Sequence, residues 1–341
     1  MTRTAKLLVA VAATCAALPA AADAAKPTPT GATAPGQVFF PNPVQSLGDG
    51  TLTDQKDANY AALAAAYERK TLTNLDGSGT LTGTYARVES ETGTPARNTG
   101  SGFIYTRDQD QFEQVMGYYW ITQAQLYIQS LGFGSTLPAV NKRQQLLRID
   151  QYGGDNSFYR NGTKKLTITL GKGGVDDAED AEVIVHEYGH SVQDDQVPGF
   201  GSTLEAGAIG EAFGDYLAVT VTSAVTGETA FDEPCVADWD AVSYTEGPSH
   251  CLRRIDGAKH YPEDVVDRVH ADGEMWSAAL HRARGLVGNT RLADKVIIAA
   301  QFGFAPGTSF RAAALQTIRT AASYGVEAQF RRAFTERGFL G

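Results

Sequence analysis

The spacing of apolar positions changes character along the chain. From Gln37 to about Arg107, short apolar runs alternate with turn residues, as in Val38-Phe39-Phe40, Thr71-Leu72-Thr73 and Thr80-Leu81-Thr82-Gly83-Thr84-Tyr85. Alternation with period two on either side of Asp76-Gly77 predicts β-hairpins. Acidic residues in such turns need no bound cation to explain them, because Asp-Gly suits the turn itself. Residues 110–131 then switch to helical spacing, with Phe112, Val115, Tyr119 and Leu126 on one side and a stop at Gly132. That aromatic stripe reads as core. Two strand-like runs follow, 146–152 and 165–170, flanking Asp155-Asn156-Ser157-Phe158-Tyr159. Beyond residue 270 helices dominate, over 273–286, 292–300, 309–322 and 328–337. The pattern predicts an α+β protein of two lobes. A β-rich N-terminal lobe spans 37–200 and carries a central helix near its end, and a mainly helical C-terminal lobe spans 201–341.

The N-terminal end reads differently. Arg3 and Lys6 precede an apolar run from Leu7 to Leu18, and an Ala-rich stretch offers cleavage points around Ala22 to Ala25. This is the pattern of a signal peptide over residues 1–25, so export is expected, and the run is too short for a membrane anchor. Residues 26–36, rich in Pro, Thr and Gly, are expected to be a disordered lead-in. Removing the leader removes Cys15 and leaves Cys235 and Cys251, which in an exported chain read as one disulfide. The net charge is −10, which disfavours nucleic acid and anionic membranes as partners. A freely dissolved monomer is the expectation.

Histidine is scarce, six in 341 residues, yet two of them form His186-Glu187-Tyr188-Gly189-His190. On a helix, positions i and i+4 differ by about 40° in azimuth and about 6 Å in rise, so both imidazoles can reach one ion. Glu187 projects beside them as a general base, which makes this an H-E-x-x-H pattern. A third histidine three residues past a glycine would define one class of such sites, but Gln193 and Gln196 stand at the relevant positions. Downstream lies EAGAIGEAFGD, residues 205–215, whose small residues allow close helix packing. Glu211 is therefore expected as third ligand of a His₂Glu site with an open fourth position. Asp215, one turn on, would accept the distal N–H of His186. Zn²⁺ suits nitrogen and carboxylate donors. His270, opening the helix at Gly273, could donate a hydrogen bond to a developing oxyanion, with Asp267 or Asp264 orienting it.

On these residues the chain resembles the gluzincin metallopeptidases, the thermolysin-like and fungalysin-like enzymes. The match in HEYGH and in EAGAIGEAFGD is specific, and the resemblance covers roughly residues 100–341. It implies a zincin-type fold and a secreted endopeptidase with one catalytic Zn²⁺ held by His186, His190 and Glu211. Asn156-Ser157-Phe158-Tyr159 is similar to the family's edge strand, so Asn156, Ser157 and Phe158 are implied to bind a protein or peptide substrate. Leu252-Arg253-Arg254 is similar to a segment that presents an arginine, implying Arg253 in the same role. Val269-His270-Ala271-Asp272-Gly273-Glu274-Met275-Trp276 resembles the fungalysin-like V-H-x-x-G-x-x-W, implying His270 as the oxyanion donor. The tyrosine of thermolysin-like enzymes has no counterpart near Phe200 and Gly201. Their paired calcium site is unsupported, since Glu182 matches one ligand while Thr222 replaces another. Two alternatives stand beside the endopeptidase reading. One is a zinc aminopeptidase, for which no amine-anchoring segment is found. The other is a catalytically silent exported binding or inhibitory protein on the same scaffold, against which Glu187 and the complete ligand set argue.

Overall fold

A computed structural model describes residues 31–89, 93–141, 143–161, 166–227, 234–245 and 250–341. The expected signal peptide with its cleavage points, and residues 26–30 of the expected lead-in, lie outside the described residues. Residues 32–36 correct that expectation. They open strand β1 (Ala32–Phe39), which runs antiparallel to β2 (Tyr67–Leu75). Composition there favours disorder, but pairing supplies backbone partners and buries Ala34 and Val38, which outweighs it. The expected hairpin about Asp76-Gly77 is also revised. β2 takes β1 as its partner, and residues 80–85 are tied back only by isolated bridges such as Leu75 with Gly83.

A short helix α1 (Pro43–Leu47) follows β1, capped by Asn42. The main sheet has the order β3-β4-β6-β5, built from β3 (Ala86–Val88), β4 (Gln145–Tyr152), β6 (Leu166–Gly171) and β5 (Phe158–Asn161). The first three run parallel and β5 is an antiparallel edge. Helix α2 (Gln111–Ser130) packs on this sheet and on β1. It is buried on nearly every side, so its predicted stripe is one face of a fully enclosed helix.

The remaining helices stack in sequence order. α3 (Ala181–Gln196) packs on α2 and on α4 (Leu204–Thr226), which packs on α5 (Val269–Val287). α6 (Thr290–Gln301), α7 (Phe310–Ala322) and α8 (Glu327–Glu336) close the C-terminal part, within two residues of the predicted bounds. Side-chain caps start several of them: Asp180 on α3, Thr203 on α4, Asn289 on α6 and Ser309 on α7. Between α4 and α5 lies the small ribbon of β7 (Cys235–Val236) and β8 (Arg253–Arg254), where Cys235 and Cys251 form the expected disulfide with Cα atoms 5.4 Å apart. The result is a strand-rich N-terminal part and a helical C-terminal part. Among the described residues no helix is long and apolar enough to cross a membrane.

Candidate metal centre

Helices α3 and α4 meet through glycine. A Cβ placed on Gly189 would lie 2.9 Å from the Gly214 Cα, and one on Gly214 would lie 2.6 Å from the His186 Nδ1. No other residue type permits that approach. It brings His186 and His190, one turn apart on α3, against Glu211 and Asp215, one turn apart on α4. The imidazoles stand edge to face, 4.9 Å between centroids.

The donor atoms of His186, His190 and Glu211 lie within 4.8 Å of one another. His186 Nε2 is 3.3 Å from Glu211 Oε2, and His190 Nε2 is 3.8 Å from Glu211 Oε1. Donors bound tetrahedrally at about 2.0 Å stand roughly 3.3 Å apart, so the set fits a zinc-sized ion. Glu211 Oε2 is buried and makes no hydrogen bond despite its histidine neighbours, as expected of an oxygen aimed at a cation. His186 turns its other nitrogen, Nδ1, to Asp215 Oδ1 at 2.8 Å. Burial would lower the pKa of His186, but the Asp215 and Glu211 carboxylates prevail and push it up to about 10. The field that would hold a proton there also draws a metal cation.

Asp215 is itself held. Arg253, on β8, donates through Nε to Oδ2 and through Nη2 to Oδ1, both at 2.7 Å. Burial alone would raise the carboxyl of Asp215, yet Arg253 and His186 drive it well below the usual carboxylate range. Arg253 thus joins the site through Asp215, and the backbone ribbon that carries it is closed by the disulfide.

Glu187 is buried beside the donor set with Oε2 unpartnered among the described residues. Burial raises its pKa, partly offset by the neighbouring histidines. His270 stands in the first turn of α5 with Nε2 3.1 Å from Glu211 Oε2, and its side chain is 62% exposed. Gly273 lets α5 approach α4: a Cβ there would sit 2.9 Å from the Ala208 carbonyl oxygen. The expected partner Asp267 is not used. It is exposed, lies in the left-handed region at φ 57° and makes no hydrogen bond to His270. Asp264 instead accepts from the His260 backbone. The segment before α5 is held by Asp272, which accepts from the backbone N–H groups of Val266 and Arg268.

A cleft of about 470 Å³ runs over this centre, with Asn156, Ser157, Phe158 and Tyr159 of the edge strand along one wall. Ser157 is anchored by its hydroxyl to Asp177, and Phe158 packs edge-on against Tyr152. Phe200 and Gly201 also line the cleft. Gln193, Asp194 and Gly210 line the cleft as well, a role that the sequence pattern did not predict for them. Their signal was present, since Gln193 and Asp194 follow His190 by about one turn. Glu182 is tied into the protein by hydrogen bonds. Its Oε1 accepts from Gln45 and Thr222, and its Oε2 from the Ala237 backbone.

The family model for fungalysin metallopeptidases matches residues 118–296, which include every residue of the centre. A curated relative, the extracellular metalloproteinase mep of Aspergillus niger, is 29% identical over 122 aligned residues. That match covers 31% of this chain and 18% of the relative's length. Among solved structures, the precursor of protealysin, a metalloproteinase from Serratia proteamaculans, superposes with a TM-score of 0.57 at 16% identity. The superposition covers 75% of this chain and 86% of that one, a likeness of fold.

Proposed function

Because the chain belongs to the fungalysin metallopeptidase family, we propose that it is an exported zinc-dependent endopeptidase in which Glu187 is the general base. The observation that carries this reading is Glu187 itself. It is a buried carboxylate with an unpartnered oxygen, next to a His₂Glu donor set at the foot of a cleft walled by a strand edge. His186, His190 and Glu211 would hold the ion. Bound zinc supplies Lewis acidity, lowering the pKa of a water to about 7 and polarising a carbonyl.

The protein's own groups do the rest. An extended peptide adds along Asn156–Tyr159, where backbone hydrogen bonding sets its register. Glu187 accepts a proton from the attacking water and returns it to the departing amine. His270 donates through Nε2 to the oxygen on which negative charge develops. Phe200 and Gly201 supply no hydroxyl to assist, so that duty falls on His270. Asp215, clamped by Arg253, fixes the tautomer of His186 so that Nε2 faces the ion.

The test compares the full chain with Glu187→Gln on a denatured protein substrate, with bound zinc measured for both. The variant should retain one zinc and lose cleavage by about 10²–10⁴-fold, the usual worth of a general base. Equal cleavage would overturn the mechanism. Loss of zinc together with activity would mean that Glu187 acts on the metal site and not on the proton.

A further inference from the structure

Away from the cleft, three carboxylates from distant parts of the sequence converge. Glu113 lies in the first turn of α2, Asp150 at the end of β4, and Asp176 in the segment leading to α3. Their oxygens lie within 4.8 Å of one another. Glu113 is 0% exposed and Asp176 2%. Both oxygens of Glu113, both of Asp150 and Oδ1 of Asp176 are buried and lack any hydrogen-bond partner among the described residues. Asp150 reaches the group because β4 breaks register with β6 after Ile149, where Asp150 adopts φ 56°.

The surrounding charges do not neutralise the cluster. Lys172 stands 4.0 Å from Asp176 Oδ2 but bonds Asp110 at 2.8 Å. Arg107 is committed to Glu179 at 2.8 Å and Asp54 at 2.7 Å, with Asp57 at 3.5 Å. Two cations therefore face seven carboxylates. Buried carboxyls cannot stay ionised and unpaired at such separations; they must share protons or a cation. Burial is the largest cause in each case, and with neighbouring carboxylates it pushes Asp150 to about 8, Asp176 to about 9 and Glu113 well above the usual range. Glu113 decides between the two ways out. Neither of its oxygens has a donor from another group beside it among the described residues, and two free acceptors at the centre of the cluster fit a cation.

We propose that Glu113, Asp150 and Asp176 form a second metal site, for a hard divalent cation of the calcium type, distinct from the His186–His190–Glu211 centre. An all-oxygen set of three carboxylates, able to bind through one or both oxygens, suits Ca²⁺; zinc would prefer the nitrogen donors elsewhere. None of the three residues lines the catalytic cleft. The ion would tie α2, the main sheet and the entry to α3 at one point.

The experiment uses the full chain carrying Glu187→Gln to prevent self-cleavage, loaded with zinc, with bound calcium measured after dialysis against CaCl₂. One calcium per chain should bind at about millimolar free Ca²⁺ or below, the range of extracellular sites. The melting temperature should rise by about 5 °C at pH 8 and much less at pH 5, where protons compete. Adding Glu113→Gln with Asp176→Asn should abolish calcium binding and the melting response while one zinc remains. Should that variant fail to fold, Asp150→Asn alone should weaken calcium binding at least tenfold. No bound calcium and an unchanged melt in the parent would overturn the proposal and leave protons as the occupants. Undiminished calcium in either variant would overturn it equally.

Discussion

Asp215 shows how much of the site depends on one carboxylate. It accepts hydrogen bonds from His186 Nδ1 and from both prongs of Arg253. Asp215→Asn should weaken zinc binding by about 10–100-fold, measured by competition with a chelator, because the tautomer and ring orientation of His186 lose their anchor. His270→Ala should behave oppositely, keeping zinc while kcat falls by about 10²–10³, as when one oxyanion donor is removed. Full activity in that variant would assign the role elsewhere. The pair of histidines and their glutamate were legible because helical periodicity places them without knowledge of the fold, and Glu211 with Asp215 followed by the same rule. The placement of Arg253 on Asp215 was not legible, since nothing local says which carboxylate a distant arginine will meet. Asp267 was misassigned for a related reason. Proximity in sequence to His270 says little where the backbone takes a left-handed turn between them.

At the scale of elements, the α3–α4 crossing sets the geometry. Gly214→Ala would place a methyl 2.6 Å from the His186 Nδ1, so the helices must separate or His186 must turn. A cost of about 1–3 kcal/mol in stability is expected, with a larger fractional loss of zinc affinity. Denaturant melts with and without zinc separate the two effects, and a variant melting like the parent would show that the crossing has slack. The helices after residue 269 were readable because each shows one apolar face. α2 was readable for its length, though its complete burial was not. The first part of β1, residues 32–36, was missed because those residues, read alone, favour a flexible chain; its partner lies some thirty to forty positions away. β2 was found but matched to the wrong neighbour for the same reason.

Several charged groups lie deep in the molecule. Arg107 is fully buried between Glu179 and Asp54 and stacks over Trp239. Arg107→Met leaves Glu179 without its counter-charge and should cost about 3–5 kcal/mol. In calcium-free buffer, the folded-state pKa values of Asp150 and Asp176, about 8 and 9, exceed the unfolded value of about 3.9. The folded state then binds more protons, so stability should fall as pH rises from about 4 through 9, checked by urea melts at pH 5, 7 and 9. Glu113, Asp150 and Asp176 could not be grouped from sequence, since they come from a helix, a strand end and a loop far apart along the chain. A related consequence follows from the centre itself, whose donors sit on separate helices, His186 and His190 on α3 and Glu211 on α4. An unfolded chain offers an ion no comparable grip, so with the proposed zinc as its occupant the free zinc activity would enter the folding equilibrium as a reactant. Each tenfold rise in free zinc above its dissociation constant should then add about 1.4 kcal/mol to the free energy of unfolding. Zinc buffering would set how long the protein survives as well as whether it works.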